Sequence, residues 1–309
     1  MSKIKKFFRN KIKTFFDSVN LINFFSKRRK FNFFHKKLRT IYCELLAKKD
    51  LTPILKVKKV FKTNNINCDI FIDISDFSNV AQVIDPDWEM ELFDYYKKIK
   101  EDKIFFIDLG GNIGCHSLFF LKYVKFEKII YVEPNTKCFD LFKKSLSIQN
   151  LPNINKVLAV NKAISETSGE TSLKFFNNNS GSGSVVNYFG IKEKHKIMEK
   201  HPSLFNQVKC KNITFEEIFS DILTDHKIII KMDIQGYEPK ILLHLSDLIK
   251  KFNISHCFFE VNKIDETILV EAIQKFGQDY LLKDLKGNII SLNNIQQYLK
   301  KVILLEKNN

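Results

Sequence analysis

From residue 103 onward, short unbroken apolar runs alternate with longer stretches in which apolar residues recur every three or four positions. The runs are KIFFIDLG, KIIYVEP, NINKVLAVNKAIS, HKIIIKMDIQG and HCFFEV; the helical spacing is carried by CHSLFFLKYV, TKCFDLFKKSLSIQN, EPKILLHLSDLIKKF and ETILVEAIQKFG. Strands without polar alternation need both faces covered, so the pattern predicts an α/β protein with a mostly parallel sheet between two layers of helix. YLLKDL and NIISL are expected to add edge strands near the C-terminus. Upstream, VKKVFKT and DIFIDIS predict two short strands around a turn at NNINC. DPDWEMELFDYYKKI then predicts a helix, with Asp85 as its cap and Pro86 in its first turn.

The first fifty residues follow a different rule. Ile4, Phe8, Ile12, Phe15 or Phe16 and Val19 recur at helical spacing, as do Leu21, Phe24, Phe25, Phe31, Phe34, Leu38, Ile41 and Leu45. KRRK at 27–30 interrupts the second series, and Pro53 closes the region. The reading is therefore a basic, Phe-rich amphipathic extension over 1–52, lead-in strands and a helix over 53–102, and the main domain over 103–309.

Charge separates these parts. The chain has 309 residues with 50 Lys+Arg against 35 Asp+Glu, a formal +15. Residues 1–50 hold 15 of the basic residues and 3 of the acidic ones, so the body is nearly neutral. Three readings of the extension stand open. It could lie on an anionic membrane surface, pack its Phe face on the body or on a partner, or contact nucleic acid. No run reaches the roughly 20 apolar residues of a spanning helix, and MSKIKKFFRNK lacks the pattern of a secretory signal. Cys43, Cys68, Cys115, Cys138, Cys210 and Cys257 are scattered, without metal-ligand or disulfide-framework spacing. A cytoplasmic protein with reduced thiols and no obligatory metal is expected, peripheral at the inner face of the membrane if the extension binds lipid.

Candidate chemistry begins at FFIDLGGNIG. The strand ends at Asp108–Leu109, and a helix follows directly after Gly114. Gly110 and Gly114 allow a ligand close to bare backbone. The spacing matches neither the dinucleotide G-x-G-x-x-G nor a nucleotide phosphate loop, since no Lys-Ser/Thr follows. About twenty residues on, KIIYVEP ends a second strand with Glu133, suited to the two hydroxyls of a ribose. One acid at the glycines, a second for ribose and no diphosphate cradle fit S-adenosylmethionine. Asn161 through Ala163, at the third strand, are candidates to meet adenine, with Ala163 small enough to allow stacking. The fourth strand carries Asp233 at its end, with Gly236 and Glu238 following, and HCFFE brings Glu260 to the same rim.

FFIDLGGNIGCHSLFF, YVEPNTKCFDLFKKS, AVNKAISETSGETSL and IIIKMDIQGYEPKILLHL follow one another as in the FkbM-like family of S-adenosylmethionine-dependent methyltransferases. WEMELFDYYKKI resembles that family's lead-in, and the resemblance covers roughly residues 57–262. It implies a doubly wound, seven-stranded, Rossmann-like methyltransferase sheet with one reversed strand at the edge. It also implies methyl transfer to oxygen, often a hydroxyl of a sugar, glycan or related metabolite. Asp108, Gly110, Asn112 and Gly114 would form the cofactor loop, Glu133 would hold the ribose, and Asp233 would correspond to the acid of the family's I-D-x-x-G segment. Gly111 stands where alanine is usual and should be tolerated; Gln235 stands where glutamate is usual.

In-line methyl transfer needs an aligned acceptor, exclusion of water and a base for the acceptor proton. Asp233 is the first candidate for that base or for holding the acceptor or the cofactor amino group. Glu238 and Glu260 are secondary, and each of the three acids has a structural alternative. His116 and His201 could reach the acceptor but have no partner in the sequence pattern. The NNNSGSGS core of the insert FNNNSGSGSVVNYFGIKEKHKIMEKHPSLF reads as a mobile loop, and the insert either closes over the acceptor or merely connects strands. A nucleic-acid methyltransferase is the first rival, but M-D-I-Q-G stands where a D/N-P-P-Y/F segment would be needed. A dehydrogenase fails on glycine spacing, and a non-catalytic, membrane-associated scaffold remains a third possibility.

Overall fold

The computed structural model describes residues 54–308 apart from 62–65, 86, 102, 178, 186–201, 223–224 and 262–265. The N-terminal extension, Asn64 and Asn65 of the turn expected at NNINC, His201 and the middle of the insert lie outside the described residues.

Strands β1 (Ile54–Phe61) and β2 (Ile66–Asp73) form an antiparallel pair. Cys68, Ile70 and Ile72 are buried while Asn67 is exposed, as alternation requires. Helix α1 (Phe77–Ile84) follows, its first turn capped by the Asp76 carboxylate, which accepts from the Ser78 and Asn79 N–H groups. Asp85 was expected to open a helix; it closes α1 instead, its N–H bonded to the Ala81 carbonyl. The cause is local. A residue before proline is pushed out of helical geometry, and Asp85 sits at φ −74, ψ 110. Helix α2 (Met90–Lys98) starts only after Glu89 and buries Leu92, Phe93 and Tyr96.

The main body runs β3 (Ile104–Leu109), α3 (Cys115–Tyr123), β4 (Lys128–Val132), α4 (Thr136–Ser147) and β5 (Val157–Val160). Next come β6 (Ala163–Ile164), β7 (Glu170–Phe176), β8 (Ser184–Val185), β9 (Phe205–Ile213) and α5 (Phe215–Phe219). The chain closes with β10 (Lys227–Met232), α6 (Glu238–Ser246), β11 (Ile254–Glu260), α7 (Glu266–Phe276), β12 (Tyr280–Asp284) and β13 (Val302–Lys307).

Seven strands form one sheet in the order β12-β13-β11-β10-β3-β4-β5, while β6, β9, β7 and β8 form a smaller one. Strands β11, β10, β3, β4 and β5 are mutually parallel. The reversed strand is β13, antiparallel to both β11 and β12. It lies one place in from the edge rather than at it. VILLEK supplies this strand, and it buries Ile303, Leu304 and Leu305. NIISL forms no strand: Ile289 makes an isolated bridge to Lys283 and is 68% exposed.

The unbroken apolar strands are explained by two cores. Strand β3 sends Ile104 and Phe106 to one, shared with β1, β2 and α1–α4, and Phe105, Ile107 and Leu109 to the other, shared with α5–α7. From β3 the chain progresses outward through β4 and β5, then returns to place β10 on the opposite side. The carboxyl ends of β3 and β10 therefore flank a topological switch point, where open α/β sheets bind ligands.

Candidate active site

The glycine turn is shaped by contacts from three directions. Gly110 has φ +72, and a Cβ there would lie 2.1 Å from the Asp233 carbonyl oxygen. A Cβ at Gly111 would lie 2.3 Å from the Tyr131 ring, so in this chain the alanine usual in the family would need Tyr131 to move. Gly114 stands at the N-cap of α3. The Gly110 and Gly111 N–H groups both donate to the Val132 carbonyl, at 2.9 and 3.2 Å. Asn112, at φ +48, donates its N–H to Glu133 Oε2 at 2.8 Å, and Tyr131 donates its hydroxyl to the Asn112 carbonyl.

Glu133 follows β4 and receives a second backbone bond, from Asn135 N–H to Oε1 at 2.7 Å. Burial pushes its carboxyl up to about 7 against the pull of these two donors. A carboxylate has about four acceptor directions, so two remain for ligand hydroxyls. Asn161 does not face a ligand freely: its Nδ2 donates to the Glu133 carbonyl at 2.7 Å and its Oδ1 accepts from Thr136 Oγ1. Ala163, in β6, lines the cleft.

Asp108 is fully buried; Oδ2 accepts from Ser117 Oγ at 2.7 Å, and Oδ1 has no hydrogen-bond donor. Opposite it in the β3–β10 register stands Lys231. The Lys231 ammonium lies 3.6 Å from Asp108 Oδ1, 3.9 Å from Asp233 Oδ2 and 3.4 Å from the Gly110 carbonyl. Lys231 is 5% exposed. Burial lowers its basicity, but Asp108, Asp233, Glu89 and Glu133 more than reverse this and hold it above the ordinary lysine range. The sequence reading missed this residue. Its signal was the single charge within the central run IIIKM.

Asp233 lies just beyond β10 with its side chain 32% exposed and lines the cleft. Desolvation raises its carboxyl above the ordinary range, while Lys231 and a 2.6 Å bond from Gln235 Nε2 act the other way. Glu238 is fully buried and accepts from the Ile234 and Gly236 N–H groups at 2.9 and 2.7 Å. It staples the turn that carries Asp233. Burial pushes it up to about 8. Glu260 ends β11, pairs with Val302 and does not line the cleft.

His116 is enclosed, with Nε2 2.7 Å from Glu89 Oε2, Nδ1 3.4 Å from the Tyr96 hydroxyl and its ring stacked on Phe93. Glu89 sits at φ +49. The described residues of the NNNSGSGS run are also more anchored than a mobile loop. Ser180–Ser182 form a 3-10 turn, and Ser180 donates its N–H to Asp76 Oδ2 at 2.8 Å. Asn79 and Asn112 both donate side-chain N–H groups to Ser180 Oγ, at 3.0 and 3.2 Å. This turn walls a cleft of about 740 Å³, its open mouth included, that runs from Glu133 to Tyr237.

Three features suit a nucleoside that carries an amino acid and a positive charge. Glu133 retains acceptor capacity, Gly110 and Asn112 of the turn line the cleft, and Asp108 Oδ1 is buried without a donor. Among the described residues no group of three or more His, Cys, Asp or Glu could hold a metal ion.

A parallel sheet with this strand order, a reversed strand between its last two members and a glycine turn facing a ribose-type acid define a Rossmann-like fold of the methyltransferase class. Residues 108–282, more than half the chain, match the family model of the methyltransferase FkbM domain, and the chain belongs to that family. S-adenosylmethionine is the family's cofactor, and the rim residues fit it. Methyltransferase sdnD of Sordaria araneosa is 29% identical over 96 residues, 31% of this chain and 35% of that protein. The solved methyltransferase FkbM from Methylobacillus flagellatus KT aligns over 67% of this chain and 44% of its own, with TM-score 0.44 and 14% identity. TYW2 of M. jannaschii, solved with AdoMet, aligns over 82% and 88%, with TM-score 0.39 and 12% identity. The chain thus spans about a third of that curated relative and under half of the solved FkbM protein.

Proposed function

We propose that this chain transfers a methyl group from S-adenosylmethionine to a hydroxyl of a small acceptor, a sugar, glycan or related metabolite. The observation that carries the reading is the placement of Asp233, a partly exposed carboxylate on the cleft wall in backbone contact with the glycine turn. S-adenosylmethionine supplies an electrophilic methyl group on a sulfonium. Glu133 would hold the ribose, the Gly110–Gly114 turn would bring backbone against the amino acid moiety, and Ala163 would leave room for the adenine. Asp233 takes the acceptor proton as the oxygen attacks. Its position above the ordinary carboxyl range brings it nearer the neutral value at which a general base works best. Glu238 keeps that carboxylate in place by holding the Ile234 and Gly236 N–H groups.

The sugar reading is supported by the acceptor side of the cleft. Phe175 and Tyr237 contribute aromatic surface, and Tyr237 donates its hydroxyl to Glu166 at 2.5 Å, a pairing of apolar face and polar edge that suits a sugar ring. Labelled S-adenosylmethionine offered with a panel of sugars, nucleotide sugars and glycans tests the proposal. Transfer to a hydroxyl by the full chain, lost at least a hundredfold in Asp233→Ala while the fold is kept, is the expected result. Undiminished transfer by Asp233→Ala removes the base assignment.

A further inference from the structure

A lysine in the middle strand of a buried sheet is costly unless its charge is answered. Lys231 has two carboxylates to answer it, Asp108 at 3.6 Å across the β3–β10 register and Asp233 at 3.9 Å beyond the end of its own strand. One ammonium cannot neutralise both. Asp108 is fully buried and Asp233 is a third exposed at the cleft, so the charge left over is the one the ligand meets. The other charged groups around the ammonium are accounted for. Glu89, ahead of α2, is paired with His116 at 2.7 Å, and Glu133, after β4, is bonded to the Asn112 and Asn135 N–H groups. Gln235, the remaining partner of Asp233, is neutral and fixes its Oδ1.

We propose that Lys231 is a positioning residue that balances Asp108 and leaves Asp233 as a single uncompensated negative charge, matching the cleft to the sulfonium of the cofactor and against its neutral thioether product. This inference rests on the proposed S-adenosylmethionine reading of the site. A lysine-to-methionine change would leave two neighbouring carboxylates without their cation. Two negative charges would then act on the ligand, and the cleft would favour a cation still more strongly.

Calorimetry on the full chain tests this without any acceptor. Wild-type protein should bind S-adenosylmethionine more tightly than S-adenosylhomocysteine. Asp233→Asn should erase that preference, costing about tenfold for the sulfonium and much less for the thioether, the size of one pH-unit-scale interaction. Lys231→Met should widen the preference for S-adenosylmethionine over S-adenosylhomocysteine, and Lys231→Arg should keep it as in the wild type. Equal losses for both nucleosides in Asp233→Asn, or the same preference in the Met and Arg variants, overturns the inference. Should Lys231→Met fail to fold, the Asp233→Asn comparison decides alone. Absence of S-adenosylmethionine binding by the wild type would instead strike the proposed function itself.

Discussion

Replacing Gly111 by alanine would set a methyl carbon 2.3 Å from the Tyr131 ring, itself fully buried against Phe142. Overpacking of this kind costs about 1–3 kcal/mol, so Gly111→Ala should lower the unfolding free energy measured in urea by that amount, and Gly111→Ala with Tyr131→Phe should not recover it, because the clash is with the ring and not the hydroxyl. A second expectation at this scale concerns pH. Glu133 and Glu238 sit at about 7 and about 8 against an ordinary 4.5. Between pH 4.5 and those values the folded chain keeps protons that the unfolded chain has released. Stability therefore falls as pH rises through this window, by up to about 1.4 kcal/mol per pH unit for each group. Urea titrations from pH 5 to pH 8 should show the decline, and Glu238→Gln should make it shallower. The placement of Asp108, Gly110 and Glu133 at the ends of β3 and β4 was legible in the sequence because strand ends and glycines announce themselves locally. Lys231 was not, because its meaning depends on Asp108, which is far away in the chain and adjacent only across β3 and β10.

At the scale of elements, helix α1 and the Ser180–Ser182 turn hold each other. The Asp76 carboxylate caps α1 and also receives the Ser180 N–H, while Ser78 Oγ accepts from Gly181 N–H at 3.0 Å. Asp76→Ala removes both functions. It should cost about 1–3 kcal/mol, a lost cap plus buried donors left unpaired, and amide exchange should rise within 179–185 more than in the seven-stranded sheet. Exchange unchanged in that segment would show the turn to be held by other contacts. Local rules also explain the misplaced boundaries. The strongest periodic stretches were placed well, yet α1 and the start of α2 were missed because Asp85–Pro86 reads equally as a helix opening or a helix stop. Strand β13 escaped because its apolar run acquires its place only between β11 and β12.

For the whole molecule, cofactor binding should be visible as stabilisation. S-adenosylmethionine at a hundred times its dissociation constant contributes about 2.7 kcal/mol, which for a chain of this size raises Tm by roughly 4 °C. A flat response in differential scanning would remove the cofactor assignment. The basic extension lends itself to a separate test. We propose that residues 1–50 bring the enzyme to an anionic membrane surface, and co-sedimentation with phosphatidylserine vesicles should be lost on their deletion and weaken with salt. Equal sedimentation of both forms ends that reading. Among the described residues no helix is long and apolar enough to cross a membrane.

The sequence alone determined the alternation of strand and helix, the glycine turn with Asp108 and Glu133 around it, and the separation of a basic end from a neutral body. Each of these is written in neighbouring residues, through the period of apolar positions, the freedom of glycine and the sum of charges. Only the tertiary structure decided that β13 lies inside the edge, that Glu238 staples a turn while Glu260 stands off the cleft, and that Lys231 lies between two carboxylates. Those outcomes depend on which distant segments share a dry interior, where a charge must find a partner or go without water.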